Sequence, residues 1–200
     1  MSNKEREKQL REIKEDVINC KKCSLYKTRI YPVIGKGNHN AQVFFIGEAP
    51  GFNESKTGIP FCGLSGKVLD ELFGSIKKEK NDVYITNILK DRPPNNRNPN
   101  PEEIKACVPY LKRQIEIINP KIICSLGNYA TKYIFEYFGL KDKIEGISKL
   151  HGKVFETETK LKIIPLYHPA VAVYNANMKS ILKKDFQVIE KILNQIHESK

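Results

Sequence analysis

The feature that most constrains the fold is a short apolar run at 43–46 that passes directly into a glycine-flanked turn. The turn places the carboxylate of Glu48 between Gly47 and Gly51. Because open α/β sheets bind ligands at the carboxyl ends of their strands, this turn predicts a functional site. Glycine lets a ligand approach the main chain, and successive N–H groups in such a turn can form a concavity for anionic oxygens.

Apolar runs of strand length alternate with stretches of helical periodicity along the chain. Strands are predicted at 42–46, 83–86 and 122–126, a hairpin or strand pair at 153–167, and helices at 4–19, 65–79, 101–119, 128–138 and 178–197. This alternation predicts an α/β fold with three α/β/α layers and a central, mostly parallel sheet of about four strands. We expect one domain over 1–200, with the amino-terminal segment 1–35 packed on it.

The charge of the chain indicates a polyanionic partner. The formal net charge is +11 and the isoelectric point is about 9.3. Lysine and arginine that neutralise phosphates release condensed counterions, so nucleic acid is the leading candidate partner. A lysine-rich surface that is merely solvated is the alternative. The charged amino terminus and the lack of an apolar run of about 18 residues predict a cytoplasmic protein, expected to be monomeric, that does not enter a membrane.

Three site-like segments each follow a predicted strand, so they should meet at one edge of the sheet. They are 47–51, Asn87 and 166–170. The chain here resembles the family 4 uracil-DNA glycosylases, through GEAPGFNESKTGIPFCGLSG, ITNILKDRPPNNRNPNPEEIKACVPYL and YHPA, and over nearly its whole length. The resemblance implies a DNA repair enzyme that flips uracil out of single- or double-stranded DNA and hydrolyses its N-glycosidic bond, which leaves an abasic site.

The resemblance implies that Glu48 is catalytic and that Glu54 is a second acidic residue of the uracil-binding turn, together with Gly47 and Ala49. Breaking an N-glycosidic bond builds positive charge on the sugar and negative charge on the departing base. A carboxylate can therefore stabilise the sugar cation and orient water. The structural alternative for Glu48 is a helix or turn cap.

Three further residues match positions that hold the base. Phe61 matches the aromatic residue that stacks on the extruded base, which can restore roughly 1 to 3 kcal/mol of lost stacking. Asn87 matches the residue whose amide is complementary to O4 and N3–H of uracil. His168 matches the second catalytic residue, a histidine that donates to uracil O2. Without the motifs, these residues would be interpreted as core, a turn former and a structural histidine.

The resemblance also implies contacts with the DNA strand outside the base pocket. Arg92 and Arg97 lie in a proline- and asparagine-rich loop at 90–99, which suits an ordered binding loop. We expect both to contact phosphates. Tyr174, in a segment at 171–175 expected to be a loop, is placed to enter the stack that the flipped base leaves.

Five cysteines and no secretion signal favour metal, cluster or core roles over disulfides. The family holds a 4Fe–4S cluster on four cysteines. Cys20, Cys23 and Cys107 match three of these positions, but Asp91 stands at the fourth, and we favour it as a carboxylate ligand. The alternatives are replacement by Cys62 or Cys124, a degraded or absent cluster, or zinc on the same residues.

Two other functions compete with uracil excision. The first is a glycosylase with broader damaged-base scope, like the family 5 enzymes, although these typically lack the glutamate present here as Glu48. The second is a cluster- or zinc-bearing nucleic-acid-binding module without catalysis. Retention of Glu48, Asn87 and His168 together speaks against the second alternative.

Overall fold

The computed structural model describes residues 1–198 and shows one six-stranded sheet. The strands are β1 (Lys36–Gly37), β2 (Val43–Gly47), β3 (Tyr84–Asn87), β4 (Ile122–Leu126), β5 (Phe155–Glu156) and β6 (Lys162–Leu166). Their order across the sheet is β1-β3-β2-β4-β6-β5. The four central strands are parallel, and β1 and β5 pair antiparallel at the two edges. The predicted, mostly parallel sheet is confirmed. The edge strands β1 and β5 have only two residues each, which is too short to give a recognisable pattern in the sequence.

Helices cover both faces of the sheet. They are α1 (Asn3–Ile18), α2 (Phe52–Thr57), α3 (Leu64–Ser75), α4 (Pro101–Ile118), α5 (Asn128–Tyr137), α6 (Ile147–Leu150), α7 (Ala170–Tyr174) and α8 (Met178–Glu198). Residues of α1, α4 and α5 form one buried core, and residues of α3, α7 and α8 form the other. This gives the predicted α/β/α layers. Within residues 1–198, no helix is both long and apolar enough to span a bilayer.

The strands are buried on both faces because helices flank both sides of the sheet. In β2, Phe44 and Ile46 face the core beside α1, α4 and α5, whereas Val43 and Phe45 face the core beside α3 and α8. All five residues of β2 and all five of β4 are buried. Continuous apolar runs of this kind are typical of central parallel strands.

Two sequence predictions of local structure were wrong. Helix α3 ends at Ser75 rather than at 79, because Lys77 adopts a left-handed backbone conformation with a φ of 53°. The segment 171–175, expected to be a loop, lies largely within α7, which follows Pro169. Proline has a backbone angle that suits the start of a helix, so this start could have been recognised.

Candidate active site

The ends of β2 and β3 bring two predicted site segments together. Gly47 and Asn87 are the last residues of these parallel strands and pair with each other in register. The loops that follow are joined by hydrogen bonds from Ile88 N–H to the Gly47 carbonyl (2.9 Å) and from Leu89 N–H to the Glu48 carbonyl (3.0 Å). The turn that carries Glu48 and the end of β3 at Asn87 are thus held by the same backbone network.

A small pocket opens at this edge of the sheet. Its volume is about 140 Å³, and it is lined by Ala49, Gly51, Glu54, Phe61, Ser65, Asn87 and His168. This is well below the roughly 300–1,000 Å³ of pockets for drug-sized ligands, so the pocket suits one small ring. Five of these are predicted site residues and Gly51 belongs to the predicted 47–51 turn, whereas Ser65 was missed although it lies within a motif segment.

Glu48 does not line this pocket but lies beside it, between Gly47 and Ala49. Its side chain has no hydrogen-bond or ion-pair partner in the part of the chain described, and burial raises the pKa of its carboxyl group. Glu54 differs, because its Oε1 accepts hydrogen bonds from the N–H groups of Cys62 and Gly63, both at 3.0 Å. Glu54 therefore holds the loop before α3 through one oxygen, whereas neither oxygen of Glu48 has a protein partner within residues 1–198.

Gly47 is required by close approach. A Cβ atom at this position would overlap Asn87 Oδ1 and would lie 3.0 Å from Phe61 Cζ. Only glycine therefore lets the asparagine amide and the phenylalanine ring close over the end of β2.

Asn87 presents an amide without a protein partner. The residue is only 2% exposed, yet among residues 1–198 the structure shows no hydrogen bond to its side chain. Its amide atoms stay open to the pocket that Asn87 lines, because neither is a fully buried polar atom without a partner. A ligand that displaces water from this pocket must offer the amide a matching donor and acceptor on one edge, since polar groups left unpaired there cost about 1–3 kcal/mol each.

His168 is held as a neutral hydrogen-bond donor. The N–H of Ala170 donates to His168 Nδ1 (3.2 Å), so the proton of the neutral ring lies on Nε2. Burial lowers the pKa of His168 to about 4, so the ring is neutral at pH 7. The ring also stacks on Phe61, with centroids 5.6 Å apart and an interplanar angle of 29°.

Phe61 is buried and has a strained backbone. It is 6% exposed and has a φ of 50°, which is unusual for an aromatic residue. Its carbonyl accepts a hydrogen bond from Lys80 Nζ (3.0 Å), which helps to hold this conformation. Backbone strain of this kind is concentrated at binding sites, where contacts with the surrounding structure hold the unfavourable conformation in place.

The three predicted DNA contacts differ in their availability. Arg92 lies 5.1 Å from the centroid of the exposed Phe52 ring, donates to Asn96 Oδ1 (2.7 Å), and has no carboxylate partner in the described chain. Arg97 instead forms two hydrogen bonds with the carboxylate of Glu103, at 2.9 and 2.6 Å. Tyr174 is 90% exposed at the end of α7. Arg92 and Tyr174 are therefore free for DNA, whereas the charge of Arg97 is already compensated.

The predicted cluster ligands lie near the amino-terminal segment. Cys23 and Cys107 pack in one small core with Leu25 and Leu89, and Cys20 contributes to the electrostatic environment of Cys23. Burial raises the pKa of Cys107 to about 11 and also raises that of Cys23.

Of the two alternative ligands, Cys124 is buried in the core on the α3 and α8 side, and Cys62 contacts Thr57. Neither packs in that small core.

Asp91 has a different partner in the structure. Its Oδ1 and Oδ2 accept from Arg29 Nε (2.7 Å) and Nη2 (2.6 Å), and Arg29 Nη1 also donates to the Ile18 carbonyl (2.8 Å). No group of three or more metal-ligating side chains in residues 1–198 is arranged to hold a metal ion. The three cysteines suit a cluster chemically, but the four predicted ligands do not form a complete site here. Ligation by Asp91 stays a prediction, and it would have to use lone pairs that the two bonds from Arg29 leave free.

Comparison with known proteins defines the class. Residues 34–196 match the family model of the uracil DNA glycosylase superfamily, and the chain belongs to this superfamily. It is 48% identical over 187 residues to the type-4 uracil-DNA glycosylase of Sulfurisphaera tokodaii, covering 92% of this chain and 84% of that protein. It is 45% identical to the type-4 uracil-DNA glycosylase of Archaeoglobus fulgidus, covering 90% and 91%.

A more distant relative represents the alternative family. The type-5 uracil-DNA glycosylase of Pyrobaculum aerophilum is 29% identical over 154 residues, which cover 70% of this chain and 66% of that protein. The type-4 proteins are therefore more similar to this chain in both identity and coverage. The resemblance to the type-4 family predicted from the motifs is confirmed.

Proposed function

We propose that the protein is a monofunctional uracil-DNA glycosylase, which hydrolyses the N-glycosidic bond of deoxyuridine in DNA and leaves an abasic site for repair. Its place in the superfamily and its similarity to the type-4 enzymes support this activity. The observation that carries the proposal is the Asn87 amide, which has no hydrogen-bond partner within residues 1–198 and lines a pocket that also holds Phe61 and His168. We further infer that the enzyme acts as a monomer in the cytoplasm.

Base recognition is assigned to Asn87 and Phe61. The amide of Asn87 donates to uracil O4 and accepts from N3–H, while the extruded ring packs on Phe61. Cytosine presents a donor and an acceptor in the reverse order, so it would leave buried polar groups unpaired. Each such group costs about 1–3 kcal/mol, which supplies a physical basis for rejecting cytosine.

Leaving-group stabilisation is assigned to His168. As the glycosidic bond breaks, negative charge develops on uracil O2, and the Nε2–H of the neutral imidazole donates to this oxygen. A preorganised donor of this kind contributes about 100- to 1,000-fold in rate. Because its Nδ1 is already occupied by the Ala170 N–H, His168 can present only one ring N–H to the base.

Glu48 is assigned to the sugar side of the reaction. Its carboxylate stabilises the cationic sugar and orients the attacking water, which adds to the anomeric carbon as uracil leaves. The bond that breaks joins the anomeric carbon to N1 of uracil. The attacking water gives its proton to solvent or to the Glu48 carboxylate. No covalent enzyme intermediate is needed, which is why the proposal is a simple hydrolase.

Single- and double-stranded DNA are both proposed as substrates. Arg92 and Tyr174 support this, because Tyr174 is exposed and Arg92 has no carboxylate partner within residues 1–198. Arg97 is proposed as a weaker phosphate contact, since Glu103 already compensates it.

We also propose that Cys20, Cys23 and Cys107 bind a 4Fe–4S cluster, with Asp91 as its fourth ligand. Three free thiols near the amino-terminal segment support this part of the proposal. Such a cluster would be structural, linking the segment after α1 to the loop after β3, and no reaction step depends on it. Iron and sulfide analysis with a visible spectrum tests it: about four irons per chain are expected, whereas a colourless zinc protein would contradict it.

The activity is tested by incubating the full chain with oligonucleotides that contain one uracil, as single strands and paired with guanine or adenine. We expect free uracil and an abasic site from the uracil substrates and no product from a cytosine control. Release of other damaged bases at similar rates would favour the broader specificity of the alternative. No release from any substrate would favour a binding module.

A further inference from the structure

Lys90 is a buried lysine for which the proposed mechanism has no role. It follows β3 by three residues and is 1% exposed. Its Nζ donates to the Asn87 carbonyl (2.7 Å), to Thr86 Oγ1 (2.8 Å) and to Gln114 Oε1 (2.7 Å). Burial lowers the pKa of this amine to about 7; in its protonated form the three acceptors match its three N–H groups, so every proton is used.

The acceptors of Lys90 belong to a wider buried network. Gln114 of α4 donates through Nε2 to the Ile34 carbonyl (2.8 Å) and to the Tyr84 hydroxyl (3.2 Å). Thr86 Oγ1 donates to the same Ile34 carbonyl (2.6 Å). The network therefore joins β3, α4 and the chain before β1, three rigid parts of the fold, and Lys90 connects all of them to Asn87.

The main chain of Lys90 is held independently of its ammonium. Its N–H donates to Cys107 Sγ (3.5 Å), and its carbonyl accepts from the Val33 N–H (2.7 Å). Loss of the ammonium would leave these backbone bonds in place. It would remove the donor to the Asn87 carbonyl, at the point where β3 ends and the Asn87 side chain enters the pocket.

We propose that Lys90 is the positioning residue for Asn87, and that its hydrogen bond to the Asn87 carbonyl sets the angle at which the amide meets the base. This inference rests on the proposed function, since it assigns Lys90 to recognition of uracil. A buried amine with three acceptors in hydrogen-bond range allows little movement of those acceptors. Misplacement of a recognition group by about 1 Å can cost about 100-fold in rate, so such restraint has a kinetic consequence.

The test is a double-mutant cycle with Lys90→Met, an unbranched side chain one atom shorter that removes the donors, and Asn87→Ala. Single-turnover rates of uracil release, and inhibition by free uracil, are measured for the wild type, both single variants and the double variant. We expect Lys90→Met to lower the rate about 5- to 150-fold and to weaken inhibition by uracil. In the Asn87→Ala background we expect Lys90→Met to have almost no further effect, because the amide that Lys90 positions is absent.

A matched control separates positioning from loss of stability. Thr131→Val removes another buried hydrogen bond, between Ser125 and Thr131 (2.9 Å), that does not touch Asn87. We expect it to lower the melting temperature and to leave the rate and the inhibition by uracil unchanged. If Lys90→Met does not fold, Gln114→Met and Thr86→Val replace it in the cycle, and each should give a smaller loss that also depends on Asn87.

The outcomes distinguish the two claims. If the wild type releases no uracil, the proposed function fails, whatever Lys90 does. If the wild type is active and Lys90→Met reduces the rate equally with and without the Asn87 amide, Lys90 is only structural and the inference is overturned. The inference is also overturned if a folded Lys90→Met protein keeps the wild-type rate and the wild-type inhibition by uracil. The same holds if Gln114→Met and Thr86→Val, used in its place, both do so.

Discussion

The loop after β3 begins in one kind of environment and continues into another. At its beginning, Asn87 is buried with a side-chain amide that no residue in 1–198 satisfies. Four residues later, Asp91 is buried with both oxygens bonded to Arg29. The amide of Asn87 is used by no protein group in the described part of the chain, whereas both oxygens of Asp91 already accept from a protein donor. A buried polar residue therefore indicates a binding site only when its hydrogen-bonding capacity remains unused.

The largest expected effect concerns the ion pair between Asp91 and Arg29. Asp91→Ala leaves the Arg29 guanidinium without its carboxylate, and breaking one partner of a buried ion pair costs about 3–5 kcal/mol. We expect the free energy of unfolding, measured by urea titration, to fall by that amount. The double variant Arg29→Met/Asp91→Leu is the control and should recover much of the loss. A change below about 1 kcal/mol in Asp91→Ala would show that the ion pair contributes little.

The next effect concerns the pocket that Asn87 and His168 line. His168→Leu removes the donor to uracil O2, so we expect the single-turnover rate to fall about 100- to 1,000-fold. His151→Leu is the matched control, because His151 bonds to Asp185 and does not line the pocket. Its rate should stay close to that of the wild type. A rate for His168→Leu within threefold of the wild type would remove His168 from the mechanism.

A smaller effect is expected on stability at low pH. The pKa of His168 falls from an ordinary 6.5 to about 4 through burial, so the unfolded chain binds a proton in this range that the folded chain does not. The contribution of His168 to the free energy of unfolding is fully present above about pH 6.5 and is lost as the pH falls towards 4. Urea titrations at several pH values should show this slope in the wild type and a shallower one in His168→Gln. Equal slopes would contradict the neutral state of the folded ring.

The smallest expected effect separates the two arginines. Arg92→Ala should lower the slope of log affinity against log salt concentration by about one, as expected for one lost phosphate contact. Arg97→Ala should change this slope less, because Glu103 already compensates its charge. Binding of a single-stranded oligonucleotide at several salt concentrations measures both slopes. A larger change for Arg97→Ala would reverse this assignment.

The central sheet could be predicted because its strands are apolar runs bounded by turn residues. Residues 43–46 and 122–126 have this pattern, and both are buried strands in the structure. The two-residue edge strands have no such pattern, since pairing alone defines them. The end of α3 was missed because Ile76 continues the helical spacing although the backbone turns at Lys77.

The members of the candidate site could be proposed from motifs and strand ends, but their partners could not. Nothing local in the sequence indicates that Asp91 meets Arg29, 62 residues earlier, or that Arg97 meets Glu103 rather than solvent. The contacts of Lys90 with Gln114 likewise depend on how α4 packs beside β3. Such pairings follow from tertiary packing, which local spacing does not encode.

The most direct measurement is a crystal structure of the protein with free uracil. We expect the ring to pack on Phe61, with the Asn87 amide bonded to O4 and N3–H and with His168 Nε2 bonded to O2. Uracil bound in another cavity, or bound here with its O4 and N3–H edge turned away from Asn87, would contradict the claim that the ends of these strands form a pocket for a single pyrimidine.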